Sequence, residues 1–193
     1  MKKFELTNEF ITNMFGTKLF RIRALVEFGD VEAGELGGYV EKESNLGHDD
    51  NAWVYDNAWV YGDAQVSGDA RVYDNALVCG NALVYDNAWV YGNALVCGDA
   101  RVCGNGDYAY AHGFGSVNRT TTFFRLKDGG VGVRCGCFYG TLAQFRDKIR
   151  ETHGESAIAE EYLDLAALME KRFRRTGTED RRRKLRRMFI TQN

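Results

Sequence analysis

The chain has 193 residues, of which 45% are hydrophobic and 27% charged, with a net charge of −2, five Cys and no Pro. That length suits one or two domains, and no run of about 18 apolar residues is present to span a membrane as a helix. The start, "MKKFELTNEFITNMF", lacks the long apolar core of a secretory leader, and an odd Cys count outside any disulfide-like framework points to a reducing cytoplasm.

Residues 1–47 read as a small β-rich cap of short strands and Gly-containing turns. In "LFRIRAL", Phe20 and Ile22 alternate with Arg21 and Arg23, as in a half-buried strand. Val40 and Leu46 lie six apart, in phase with the Ala positions that follow, and predict an irregular first coil.

From residue 48 to 112 one pattern dominates. Val recurs at 54, 60, 66, 72, 78, 84, 90, 96 and 102, and Ala stands two residues before each. A period of six does not fit a helix of 3.6 residues per turn. It fits a short strand followed by a corner: Ala and Val two apart share one side of an extended segment, and the intervening Gly/Asp/Asn pairs accept left-handed backbone cheaply. This pattern resembles the hexapeptide repeat of left-handed β-helices. The resemblance implies a three-sided prism with three hexads per coil, here about three regular coils. Tyr, Ser or Cys follows each Val, where the acyltransferases of that family often carry a small residue.

With eighteen residues per coil, the outward positions sort into three faces. The first carries Trp53, Tyr55, Arg71, Tyr73, Trp89 and Tyr91; the second Trp59, Tyr61, Leu77, Cys79, Leu95 and Cys97; the third Gln65, Ser67, Leu83, Tyr85, Arg101 and Cys103. Such apolar faces are expected to be covered by the terminal segments or by other subunits. Alternatively, Arg71 stacked between Trp53 and Trp89, with Tyr55, Tyr73 and Tyr91 beside it, forms a platform for a planar ligand. Turn chemistry accounts for the corner Asp and Asn residues without a metal.

Residues 113–175 predict a ββαα module: a hairpin turning at Asp128-Gly129, a helix opened by Thr141 with Gln144 as a capping box, and a second with Ile158, Tyr162, Leu165, Met169 and Phe173 on its buried stripe. Residues 176–193 predict a separate basic helix capped by Thr178. From Lys171 to Arg187, ten basic residues stand against Glu179 and Asp180, a local charge of +8 that leaves −10 elsewhere. Arg174, Arg175, Arg181, Arg182, Arg183, Lys184, Arg186 and Arg187 are the candidate contacts to nucleic acid or to an acidic protein.

The segments "FRIRALVEFGDVEAGELGGYVEKESNL" and "NRTTTFFRLKDGGVGVRCGCFYGTLAQFRDKIRETHG" resemble phage and prophage proteins of the polymer-forming, hexapeptide-repeat type. That resemblance implies a phage-encoded protein in the cytoplasm of an infected bacterium, with counter-defence as the context, and brings no catalytic residues with it. His48 and His112 are the candidate bases for acyl transfer, but no long loop interrupts the hexads to build an acceptor pocket, and three coils make a short wall for coenzyme A. His153 suits a helix C-terminus, and Cys135-x-Cys137 lacks the second ligand pair that zinc needs.

The expected fold is therefore mainly β: a left-handed parallel β-helix with an N-terminal β cap, a C-terminal ββαα module and a basic helix. The expected function is a non-enzymatic, homo-oligomeric scaffold (trimer or dimer) that engages a host protein or nucleic acid through its tail, with no cofactor, metal or membrane partner. A module sequestering a nucleotide-like ligand and a hexapeptide-repeat acyltransferase are the alternatives.

Overall fold

The computed structural model describes residues 2–115 and 117–190, with side chains described through residue 176. An antiparallel set opens the chain: β1 (Phe4–Thr12), β2 (Lys18–Ala24) and β3 (Leu36–Val40). Nine two-residue strands follow: β4 (Trp53–Val54), β5 (Trp59–Val60), β6 (Gln65–Val66), β7 (Arg71–Val72), β8 (Leu77–Val78), β9 (Leu83–Val84), β10 (Trp89–Val90), β11 (Leu95–Val96) and β12 (Arg101–Val102). They pair in parallel at eighteen-residue intervals, giving the three stacks β4-β7-β10, β5-β8-β11 and β6-β9-β12. β3 adds to the head of the second stack, and Leu46 bridges to Val66 at the head of the third. The result is a parallel β-solenoid of about four turns.

The interior is the Ala/Val register. Every Ala from 52 to 100 and every Val from 54 to 102 in that series is fully buried. One coil cannot bury this surface alone, so the stacking of coils supplies both the apolar contact and the backbone pairing. The amides pair upward, as in Tyr55 N–H donating to the Val72 carbonyl at 2.8 Å and Gln65 N–H to that of Ala82 at 2.9 Å.

The corners explain the polar pairs. The second residue after Val has positive φ at Asp56, Gly62, Gly68, Asp74, Gly80, Asp86, Gly92 and Gly98. Asp tolerates this conformation because its side chain finds a local partner. Here the partner is the next corner up: the Asp74 carboxylate accepts from Gly92 N–H at 3.0 Å. The Gly column is required by proximity, since a Cβ on Gly80 would lie 2.8 Å from the Gly98 nitrogen.

The first coil departs from the expected phase. Val40 pairs with Val60 and Leu46 with Val66, each twenty residues on. They stack on Val positions, not Ala positions, because the corner between Leu46 and Val54 is two residues longer than the others.

At the other end, β13 (Tyr108–Phe114), β14 (Arg119–Arg125), β15 (Val131–Cys135) and β16 (Phe138–Thr141) form an antiparallel sheet. The expected module thus has four strands, and the first begins at Tyr108, before the boundary drawn at 112. One face of the sheet meets the last coil: Phe124 joins the solenoid core, Leu95 N–H donates to Thr122 Oγ1 at 3.0 Å, and Ala100 bridges to Leu126. Phe123 and Val133 on the other face pack with α1 (Leu142–His153) and α2 (Ala157–Ile190), through residues including Phe145, Tyr162, Leu165 and Phe173. Thr141 and Gln144 form the expected capping box. α2 runs unbroken to Ile190, with no separate helix starting at Thr178.

Gly80→Ala is expected to destabilise the protein by about 2 kcal/mol through strain at φ 69° and the blocked corner. Gly104→Ala, where a Cβ meets nothing within 4 Å, is expected to stay within about 0.5 kcal/mol. Denaturant midpoints of the two variants check this.

Candidate functional site

The outer strip of the first face follows the eighteen-residue register, with Trp53, Arg71 and Trp89 in one row. The strip is not uniformly open. Trp53 is fully buried, although it points away from the solenoid interior, because the N-terminal segment folds over it: Phe4 meets it edge-on at 6.2 Å and Phe28 at 5.3 Å. Gly37 makes room for the indole, since a Cβ there would sit 2.8 Å from it. Trp53 is thus an anchor for the N-terminal hairpin and cannot be part of an exposed platform.

Arg71 is also committed. It forms an ion pair with Asp30 and lies over the rings of Tyr55 at 6.0 Å and Trp89 at 5.6 Å. Asp30 also accepts from the Tyr55 hydroxyl at 3.1 Å. The hydrogen bond from Arg71 holds the Asp30 carboxyl below the usual carboxylate range, while burial pushes the Tyr55 phenol up to about 12. Asp30, unremarkable in sequence, is what closes this end of the strip.

The other end is open. Trp89 and Tyr91 are 44% and 40% exposed. Tyr73 and Tyr91 stack at 5.4 Å and 13°, and Tyr91 meets Tyr108 and Tyr110 at near right angles. Here α2 crosses the strip, and between them lies a cleft of about 770 Å³ lined by Tyr91, Tyr108, Tyr110, Lys171, Arg172 and Arg175 among others. None of its described lining residues is acidic. Arg172 donates to the carbonyls of Asn105 and Tyr108, at 3.3 and 3.4 Å, and so clamps the helix to the sheet. Lys171 and Arg175, one helical turn apart, have no carboxylate partner among the described residues. Asn105 ties the cleft to the strip by accepting from Trp89 N–H at 2.8 Å.

Tertiary structure therefore joins two features that lie far apart in the chain, the aromatic strip and the root of the basic helix. It does not join all of the expected residues. Arg174 turns away from the cleft to Glu170, which Arg146 also pairs at 2.7 Å. Arg181, Arg182, Arg183, Lys184, Arg186 and Arg187 lie outside the described side chains. Tyr108 and Tyr110 were not singled out from sequence; the alternation in "YAY", which sends both rings to one face of β13, was the available signal.

The candidate bases are dispersed. His48 Nδ1 accepts from Lys3 N–H at 3.2 Å, and its ring stacks on Phe4 at 4.4 Å. His112 contacts Thr120 at 2.9 Å on the exposed sheet. Lys3 is buried: its ammonium donates to the carbonyls of Asp50 and Ala52, clipping the N-terminus to the long corner, and desolvation lowers its pKa to about 8. Cys135 ends β15 and Cys137 lies in the turn that follows it. Among the described residues, no cluster of three His, Cys, Asp or Glu side chains could hold a metal, and no helix is long and apolar enough to cross a membrane.

Residues 64–80 and 76–92 match the family described as YdcK beta solenoid repeat. The chain carries β-solenoid repeats. The matched windows lie within the coils that support the strip, and the terminal modules fall outside them. No curated protein matches the chain.

Trp53→Ala is expected to cost about 3–5 kcal/mol, the range for a large aromatic lost from a core, and Trp89→Ala less than about 1 kcal/mol. Thermal unfolding of the two variants separates anchor from surface. Because the folded pKa of Asp30 is depressed, its contribution is full above the unfolded value of about 4 and is lost as pH falls through the folded value. Asp30→Asn is expected to remove that part of the acid dependence, read as amide exchange of the N-terminal segment between about pH 5 and 2.

Proposed function

We propose that this solenoid is a non-enzymatic binding scaffold whose partner is a nucleic acid held at the cleft and along α2. The observation that carries this reading is the lining of the cleft: Lys171, Arg172 and Arg175 face Tyr91, Tyr108 and Tyr110, with no acidic group among the described residues. Cations beside aromatic rings suit a phosphate backbone that carries bases. The continuation of the basic sequence along the same helix lengthens that footprint.

The wider reading is a left-handed hexapeptide-type coil, encoded by a phage and acting in the cytoplasm of an infected bacterium, with counter-defence as its context. Exposed Met14 and Phe15 at the β1–β2 turn, with Phe10 beside them, support assembly of two or three copies through the N-terminal hairpin. The separation of His48 from His112, on opposite modules and each without a paired carboxylate, supports binding in preference to acyl transfer.

A fluorescent single-stranded oligonucleotide titrated with the full chain at several salt concentrations tests the reading. Log affinity is expected to fall linearly with log salt, with a slope of about −0.7 for each phosphate engaged. Binding of polyglutamate with equal affinity, or no oligonucleotide binding at low salt, would show an acidic protein surface or another partner instead.

A further inference from the structure

We infer that the cleft seats an unpaired base, so that the protein selects single strands over duplex; this rests on the nucleic-acid reading above. Three observations divide the labour within the cleft. Arg172 spends its guanidinium on the Asn105 and Tyr108 carbonyls, and its Nε is buried without a hydrogen-bond partner, so it is a positioning residue that holds the helix wall against the sheet. Lys171 and Arg175 stand on the same wall with no carboxylate partner among the described residues, at a spacing that places both on one helix face. They are the groups available to phosphate oxygens. The opposite wall is ring surface: Tyr91, partly exposed and held by Tyr73 on one face, with the half-buried Tyr110 set at 85° to it and the buried Tyr108 at 90° bracing it. Rings pinned in this way lose little further freedom on binding.

The walls differ in chemistry, and that difference selects the ligand. A duplex presents phosphates outward and hides its base faces in the stack, so it can reach the Lys171–Arg175 wall but not the rings. An unpaired nucleotide offers a flat face and a phosphate on the same short unit, and can use both walls at once. The cleft, at about 770 Å³, lies open along α2, which lets a strand pass through it; a free nucleotide would lack the contacts that neighbouring nucleotides of a strand make along the helix.

The test compares four probes on the full chain: a single strand, a duplex of equal length, an abasic strand of equal phosphate number, and ATP as a free nucleotide. The single strand is expected to bind about tenfold or more tighter than the abasic strand and the duplex, as one stacked base implies. Tyr91→Leu should erase that preference while leaving the salt slope unchanged, its fold checked by thermal unfolding. Lys171→Gln with Arg175→Gln should reduce the slope by about 1.4, the loss of two phosphate contacts. Equal affinity for the abasic strand, the duplex and the single strand would overturn the base seat while leaving nucleic-acid binding intact. Competition by ATP at micromolar concentration would assign the cleft to a free nucleotide. Loss of binding to every probe would overturn both readings.

Discussion

The structure depends on one constraint: each coil must leave its corner in a left-handed backbone conformation so that the next coil lies directly above it. If the corner residue is Gly or Asp, the two flanking segments stay extended and Ala and Val face the interior. The amides then pair with the carbonyls seventeen residues on, in the coil above, and the corner carboxylates accept from the corner above. Apolar burial, backbone pairing and corner chemistry all require the same period. The regularity of residues 52–102 is therefore mutually enforced, since a change in one coil's length would misplace every side chain stacked on it.

A solenoid of so few coils has two ends close to every face, and the ends shape what the faces can do. Unpaired edges at either end invite association and must be covered. The N-terminal segment covers one end and, in doing so, also takes Trp53, Arg71 and Tyr55 out of play through Phe4, Phe28 and Asp30. The four-stranded sheet covers the other with Phe124 and Thr122, and carries α2 across the remaining strip. The same requirement, to hide edges, thus closes half of an aromatic face and turns the other half into a cleft.

Charge follows this division. Acidic residues are used at the corners and at Asp30, where backbone amides or Arg71 satisfy them. On α2, Glu170 serves Arg146 and Arg174 on the side away from the cleft. Lys171 and Arg175 are left facing the rings. A nearly neutral chain in this way presents a cleft whose described lining carries cations and no carboxylate.

Local pattern alone determined the coil: the spacing of Val and Ala, the polar corners, the Thr141–Gln144 cap and the buried stripe of α2 are all dictated by residues within a turn or a strand of one another. The outward phase of Trp53 was equally legible, but its burial was not. A residue's exposure depends on which distant segment comes to rest over it, and nothing near Trp53 in the chain announces Phe4 or Phe28. The extra two residues before Val54 shifted Val40 and Leu46 onto Val positions for a similar reason, since a corner's length is read only against the coil it must meet. The meeting of Tyr91 with Lys171 and Arg175 was likewise a decision of tertiary structure: eighty residues separate the partners, and only the docking of the sheet on the last coil brings the helix across the strip.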